Sequence, residues 1–204
     1  MHDNFFPSQP APGVVPGSAS GRHVEESRIP AYLAAVAGVT PCLHLRYRYR
    51  VMDINQKAPD FTLPDQNGEP VTLSALKGKP IVLFFYPRAD TPGCTIEACG
   101  FRDQYSQLTR AGLTVLGISP DTSKAQKKFE EKFDLPYTLL ADAEKQVATL
   151  FGVLKEKNMY GKTVMGIERT TFLIAPDGTI THLWRKVKPE GHPDEVLAFV
   201  KARK

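Results

Sequence analysis

Cys94 and Cys99 are the side chains of this 204-residue chain best suited to covalent chemistry. An apolar, aromatic run ends at Tyr86, a loop opens at Pro87, and a helical pattern begins near Thr91. Ala98, Phe101, Tyr105 and Leu108 then recur at intervals that bury one stripe of a helix. Thr91 before Pro92 reads as an N-cap followed by proline at the first helical position. The backbone of Cys94 then falls in the first turn, where free N–H groups and the helix dipole favour an anion. A thiol placed there is drawn toward thiolate, the reactive form. Taken alone, Cys94 reads equally well as a small buried hydrophobe.

Its neighbours carry more information. Pro87, Thr91 and Cys94, in the pattern Pro-x-x-x-Thr-x-x-Cys, resemble the active-site signature of the peroxiredoxins. The longer string Thr91-Pro-Gly-Cys-Thr-Ile-Glu97 is similar to the bacterioferritin-comigratory, or peroxiredoxin Q, branch of that family, and the resemblance covers about residues 53–204. It implies a thiol peroxidase acting on hydrogen peroxide and organic hydroperoxides, with Cys94 as the peroxidatic nucleophile. The backbone N–H groups of Gly93 and Cys94 would point at the substrate from the helix start. The Thr91 hydroxyl would bond to substrate or thiolate, with capping of the helix as its other role. Pro87 would shape the pocket and restrict water, or simply end a strand. The family places an arginine just before a late strand, and Glu168-Arg169-Thr170-Thr171-Phe172 matches that motif. Arg169 would favour the thiolate and hold the leaving hydroxide, because guanidinium stays charged and offers several donors. Without the resemblance, an arginine before a strand is an ordinary surface residue. Glu97 belongs to the matched string too, but a first-turn glutamate is expected to stabilise the helix in any case.

In this branch the resolving cysteine commonly lies five residues after the peroxidatic one, and Cys99 holds that place. It implies a Cys94–Cys99 disulfide, formed when the Cys99 thiol condenses with the Cys94 sulfenic acid. Ideal helix parameters separate the two Cα atoms by about 8.5 Å. A disulfide needs less than about 7 Å, so the first turns must unwind during turnover. Gly100, a poor helix former, lies where that would help. The resemblance implies re-reduction by thioredoxin or glutaredoxin, and a monomer. It implies no metal, haem or flavin cofactor, and Cys94, Cys99, His182 and His192 lack the spacing of zinc ligands. A thiol–disulfide exchange protein on the same fold would carry Cys-x-x-Cys. A redox sensor that signals through helix unwinding is the remaining alternative.

An apolar fraction of 42% suffices for a substantial core. A net charge of +4 calls for neither nucleic acid nor an anionic membrane. Three cysteines without a framework spacing suit a reducing, cytoplasmic setting. No apolar run approaches the length needed to cross a bilayer. Residues 1–51 carry scattered prolines, a Gly/Ser patch at 17–21 and no sustained periodicity, so disorder is the expectation. Asp3, Glu25 and Glu26 argue against an organelle transit peptide, without ruling out targeting by this segment. Cys42 lies there, without the ordered electropositive setting that reactivity needs. Met52 precedes the first family-like residues, so 1–51 reads as an over-long start or a dispensable extension, and 52–204 as the domain.

Within 52–204, Ala58–Pro64 and Val71–Leu73 read as short strands about an Asn-Gly turn. Ser74–Gly78 reads as one helical turn stopped by glycine. Pro80–Tyr86 and Leu113–Ser119 are nearly unbroken apolar runs, the mark of strands buried on both faces. Helices are expected over 91–110, 124–133, 143–151 and 194–202, a strand over 137–141, and a hairpin over 170–184. This order gives an α/β, thioredoxin-like fold, a central mixed sheet with helices on both faces behind a short N-terminal hairpin. Its chemistry belongs at the carboxyl ends of the strands, where loop 87–93 lies.

Overall fold

The computed structural model describes residues 51–159 and 162–203. The expectations for residues 1–50, including disorder and the part played by Cys42, lie outside the described residues. The first antiparallel pair is β1 (Thr62–Pro64) and β2 (Pro70–Thr72). Its turn is drawn in by Asp65, whose Oδ1 accepts from the N–H groups of Asn67 and Glu69 at 2.7 and 2.9 Å. Gly68 supplies the positive φ of 88° that closes it. A single 3-10 turn over Leu73–Leu76 follows.

The central sheet has five strands. β3 (Ile81–Phe85) is buried at every position, as its apolar run requires. It runs parallel to β4 (Thr114–Ser119), which is parallel to β5 (Thr138–Ala141). Two hairpins follow in sequence. β6 (Leu154–Met159) pairs antiparallel with β7 (Lys162–Ile167) outside the central sheet. β8 (Thr170–Ile174) and β9 (Ile180–Arg185) complete the central sheet in the order β5-β4-β3-β8-β9. The mixed sheet and thioredoxin-like architecture are as the alternation of strands and helices predicts.

The pleat divides the core. Leu83 and Phe85 point to one face, with Phe61, Leu73, Phe151 and Phe172. Val82, Phe84 and Tyr86 point to the other, under α1 (Pro92–Arg110), α2 (Ser123–Phe133) and α4 (His192–Lys201). Between α2 and α4 in sequence, α3 (Gln146–Leu150) is shorter than its apolar pattern suggests. It starts from a left-handed Lys145 and is capped by Asp142, which accepts from the N–H groups of Val147 and Ala148.

The Phe84 ring stacks on Phe101 of α1 at 4.6 Å between centroids. Gly117 on β4 makes room for it, because a Cβ there would come 2.7 Å from the Phe84 ring. Truncating so buried a ring costs about 3–5 kcal/mol, and here it would also loosen the seat of α1.

Gly100 has a packing role beyond its low helix propensity. A Cβ at this position would come 2.7 Å from Cγ of Pro193 on α4. The glycine is a point of close helix–helix approach, so Gly100→Ala would displace α4 as well as raise helix propensity.

Candidate active site

The register of the sheet brings the two distant motifs together. Phe85 at the carboxyl end of β3 pairs with Thr170 at the start of β8. Arg169 therefore lies beside the point where β3 runs out into loop 87–91. Its backbone is clamped on both sides, with Glu168 N donating to Val153 O at 2.8 Å and Val187 N to Arg169 O at 3.0 Å.

Cys94 lies in the first turn of α1 and is 2% exposed. Arg169 Nη2 donates to Cys94 Sγ at 3.4 Å, while Nη1 of the same guanidinium donates to Glu97 Oε2. Gly93 lies beside this contact, where a Cβ would meet Arg169 Nη2 at an ordinary 3.5 Å and Pro189 Cγ more tightly at 3.2 Å. One planar fork thus holds a thiol and a carboxylate from one helix turn.

Glu97 corrects the expectation of a first-turn glutamate that stabilises the helix, because α1 starts at Pro92 and its first turn holds no acidic residue. It is fully buried, and its Oε1 has no hydrogen-bond partner. Burial pushes its carboxyl up to about 7, although the Arg169 charge and hydrogen bond pull it down. On Arg169, burial opposes the positive charge, but Glu97 and Cys94 outweigh it and raise the pKa further. The guanidinium is the fixed charge of the site.

Thr91 holds the N-cap position with an extended backbone, but its side chain caps nothing. The hydroxyl donates back to the Arg88 carbonyl at 3.0 Å. Pro87 is half-buried at the mouth of the loop. Cys99 is half-buried on the same helix, and both thiols are free.

A buried polar relay that the local sequence does not announce holds the loop. Tyr86 donates to Gln126 Oε1, and Gln126 Nε2 donates to Ser119 Oγ at 2.9 Å and Leu140 O at 3.0 Å. Ser119 Oγ donates to Asp121 Oδ2 at 2.6 Å, and the same oxygen accepts from Ala89 N at 2.7 Å. Burial raises the Tyr86 phenol far above its ordinary pKa, so it remains a donor. Asp90, at φ 54°, then turns the chain into Thr91. His192 is buried nearby at the start of α4, bonded to Thr171 Oγ1 at 2.8 Å, and burial lowers it to about 4.

Among the described residues no cluster of His, Cys, Asp or Glu could hold a metal ion, and no helix is long and apolar enough to cross a membrane. The fold and the buried cysteine under a guanidinium define a thiol-based oxidoreductase of the thioredoxin-like class. The AhpC/TSA family matches residues 54–183, and the chain belongs to that family. Peroxiredoxin Bcp of Bacillus subtilis (strain 168) is 48% identical over 150 residues, 74% of this chain and 96% of its own length. A bcp peroxiredoxin of Coxiella burnetii is 54% identical over 146 residues, 72% of this chain and 97% of its own length. Among solved structures, Xanthomonas campestris peroxiredoxin Q aligns with a TM-score of 0.67 at 43% identity, covering 70% of this chain and 90% of that one. The chain is accordingly one of the peroxiredoxins, enzymes that reduce hydroperoxides at the expense of a thiol reductant.

Proposed function

We propose that Cys94 is the peroxidatic and Cys99 the resolving thiol of this peroxidase, and that thioredoxin or glutaredoxin re-reduces their disulfide. The observation that carries the reading is the Arg169 fork on Cys94 and Glu97 at the open start of α1. The Cys94 thiolate attacks one peroxide oxygen, the O–O bond breaks, and the leaving alkoxide or hydroxide takes up a proton. Arg169 and the N–H groups of Gly93 and Cys94 stabilise charge as it moves onto that oxygen. Thr91 orients the peroxide, and Pro87 closes the pocket to water. Cys99 then condenses with the sulfenic acid, releasing water and leaving the disulfide.

Organic hydroperoxides are within the substrate class. The bacterioferritin comigratory protein of Xanthomonas campestris, 42% identical, has structures devoted to its alkyl peroxide reduction activity. With the resolving thiol in the same chain, a monomer suffices, and labile free thiols fit the reducing cytoplasm. Residues 52–204 make up the working domain.

NADPH-coupled turnover with thioredoxin and its reductase tests the assignments. Cys94→Ser should abolish peroxide reduction. Cys99→Ser should consume about one equivalent of peroxide per chain, then stall as sulfenic acid or over-oxidise. Normal thioredoxin-dependent turnover by Cys99→Ser would remove Cys99 from its role.

A further inference from the structure

The peptide that carries Cys99 is tied to the sheet from outside its helix. Tyr137, immediately before β5 and 4% exposed, donates its hydroxyl to the Ala98 carbonyl at 2.7 Å. In a continuous helix that carbonyl already accepts from the N–H four residues on, so the phenol is an added donor. The Tyr137 ring is held against Phe84 and Tyr105, with centroids 5.9 and 6.0 Å away. Burial raises its hydroxyl well above the usual phenol range and keeps it a donor. Beyond Cys99, Arg102 Nη1 donates to the Phe133 carbonyl, at the last residue of α2, at 2.9 Å. Cys99 therefore sits between two ties that fasten α1 to neighbouring elements.

A helix holds the two cysteine Cα atoms about 8.5 Å apart, beyond the roughly 7 Å limit of a disulfide. On the peroxidatic side, Cys94 is buried and held by Arg169. On the resolving side the external restraint on the Ala98–Cys99 peptide is the Tyr137 hydroxyl. We propose that Tyr137 is a positioning residue for resolution, a latch that holds this peptide in its helical form and must release before Cys99 reaches Cys94. The inference rests on the reading of Cys99 as the resolving thiol. In the gated step the sulfur–sulfur bond forms and the S–O bond of the Cys94 sulfenic acid breaks. The hydroxyl leaves as water with the Cys99 proton, and no other reactant enters. While the latch is closed the sulfenic acid waits, open to a second peroxide that takes it to sulfinic acid. The strength of this hydrogen bond thus bears directly on the ratio of resolution to over-oxidation.

Tyr137→Phe in the full chain keeps the ring and deletes the donor, and Ala98 keeps its helical partner. Rapid mixing with hydrogen peroxide, followed by alkylation and mass spectrometry of residues 94 and 99, reads each step. Peroxide consumption in the first step should stay within about 2-fold of wild type. Disulfide formation should quicken by about 3- to 10-fold, the factor for one net neutral hydrogen bond, with over-oxidised Cys94 falling in proportion. In a Cys99→Ser background the same substitution should leave over-oxidation unchanged, since no resolution competes. Should Tyr137→Phe fail to fold, Arg102→Met, which opens the other tie, should move the same ratio in the same direction. Disulfide formation at the wild-type rate or slower overturns the latch and leaves Cys99 as resolving thiol. A fall in melting temperature with no change in the ratio overturns it equally. A wild-type protein that forms no Cys94–Cys99 disulfide overturns the underlying reading and the latch with it.

Discussion

Thr91 and Thr122 hold the same position at the starts of α1 and α2, with similar extended backbones at φ −105°, ψ 152° and φ −76°, ψ 157°. Thr122 Oγ1 accepts from Ala125 N at 3.3 Å and satisfies one of the free donors of its helix. Thr91 turns its hydroxyl away to Arg88 O, leaving the first N–H groups of α1 without that cap. α2 also ends on a left-handed Asp134 whose N–H returns to Glu130 O. One helix start is finished for stability, and the other is left open where a thiol and a guanidinium meet. The same residue at the same helical position therefore makes two different hydrogen bonds, one to the preceding loop and one to its own helix.

Breaking the open start at its charge should have the largest effect. Arg169→Lys keeps the charge but not the fork that reaches Cys94 and Glu97 together. The rate of the first peroxide step should fall by roughly 100-fold, the scale for removing one well-placed donor to developing charge. A stopped-flow rate near wild type would mean that a point charge is enough.

A matched pair of substitutions sharpens the contrast between the threonines. Thr122→Val should cost about 1 kcal/mol of stability, the usual value of an N-cap, and leave peroxide turnover unchanged. Thr91→Val should do the reverse, lowering turnover by roughly 10-fold, the factor for losing one hydrogen bond worth about 1.4 kcal/mol, with little change in melting temperature. Equal loss of stability in both would make Thr91 an ordinary cap.

The smallest effect concerns pH. Glu97 releases its proton near 4.5 when unfolded and near 7 in the fold, where burial outweighs Arg169. The folded chain holds the extra proton between those values, so this group lowers stability as pH rises through that window. His192 has the opposite sign. Burial lowers it from 6.5 to about 4, against the pull of Glu195, so the unfolded chain holds the extra proton and stability rises with pH from about 4 to 6.5. The two slopes offset, and wild-type melting temperature should vary little over this range. Glu97→Gln should unmask the rise due to His192, and a profile that stays flat or falls with pH would contradict the opposition.

Apart from the Arg169–Cys94 pairing, which the motifs imply, the long-range side-chain contacts leave no mark in the sequence. β3 was legible because burial on both faces leaves an unbroken apolar run, and α1 because its stripe repeats at Ala98, Phe101 and Leu108. The hairpin β6–β7 leaves no strand signal in the sequence, since its charged Lys155-Glu-Lys start and its place outside the central sheet give no apolar run. Cys94, Thr91, Pro87 and Arg169 were singled out by motif, and the structure places Cys94 and Arg169 in contact while sending the Thr91 hydroxyl to Arg88. Glu97 looked like a dipole partner because its burial depends on an arginine 72 residues away. Tyr86, Gln126, Ser119 and Asp121 join through side-chain hydrogen bonds, which leave no periodicity to read. Gly100 carried a propensity signal, but its tight contact with Pro193 comes from the packing of α1 on α4.

The claim that the open helix start is built both to react and to unwind is tested most directly by amide hydrogen exchange on reduced and oxidised protein. In the reduced form residues 95–101 should be protected, beginning with Thr95 N, which donates to Thr91 O at 2.8 Å. Oxidation should strip that protection from residues 95–101 and leave α1 beyond Phe101, and the capped α2, nearly unchanged. Equal protection of residues 95–101 in both forms would contradict the account.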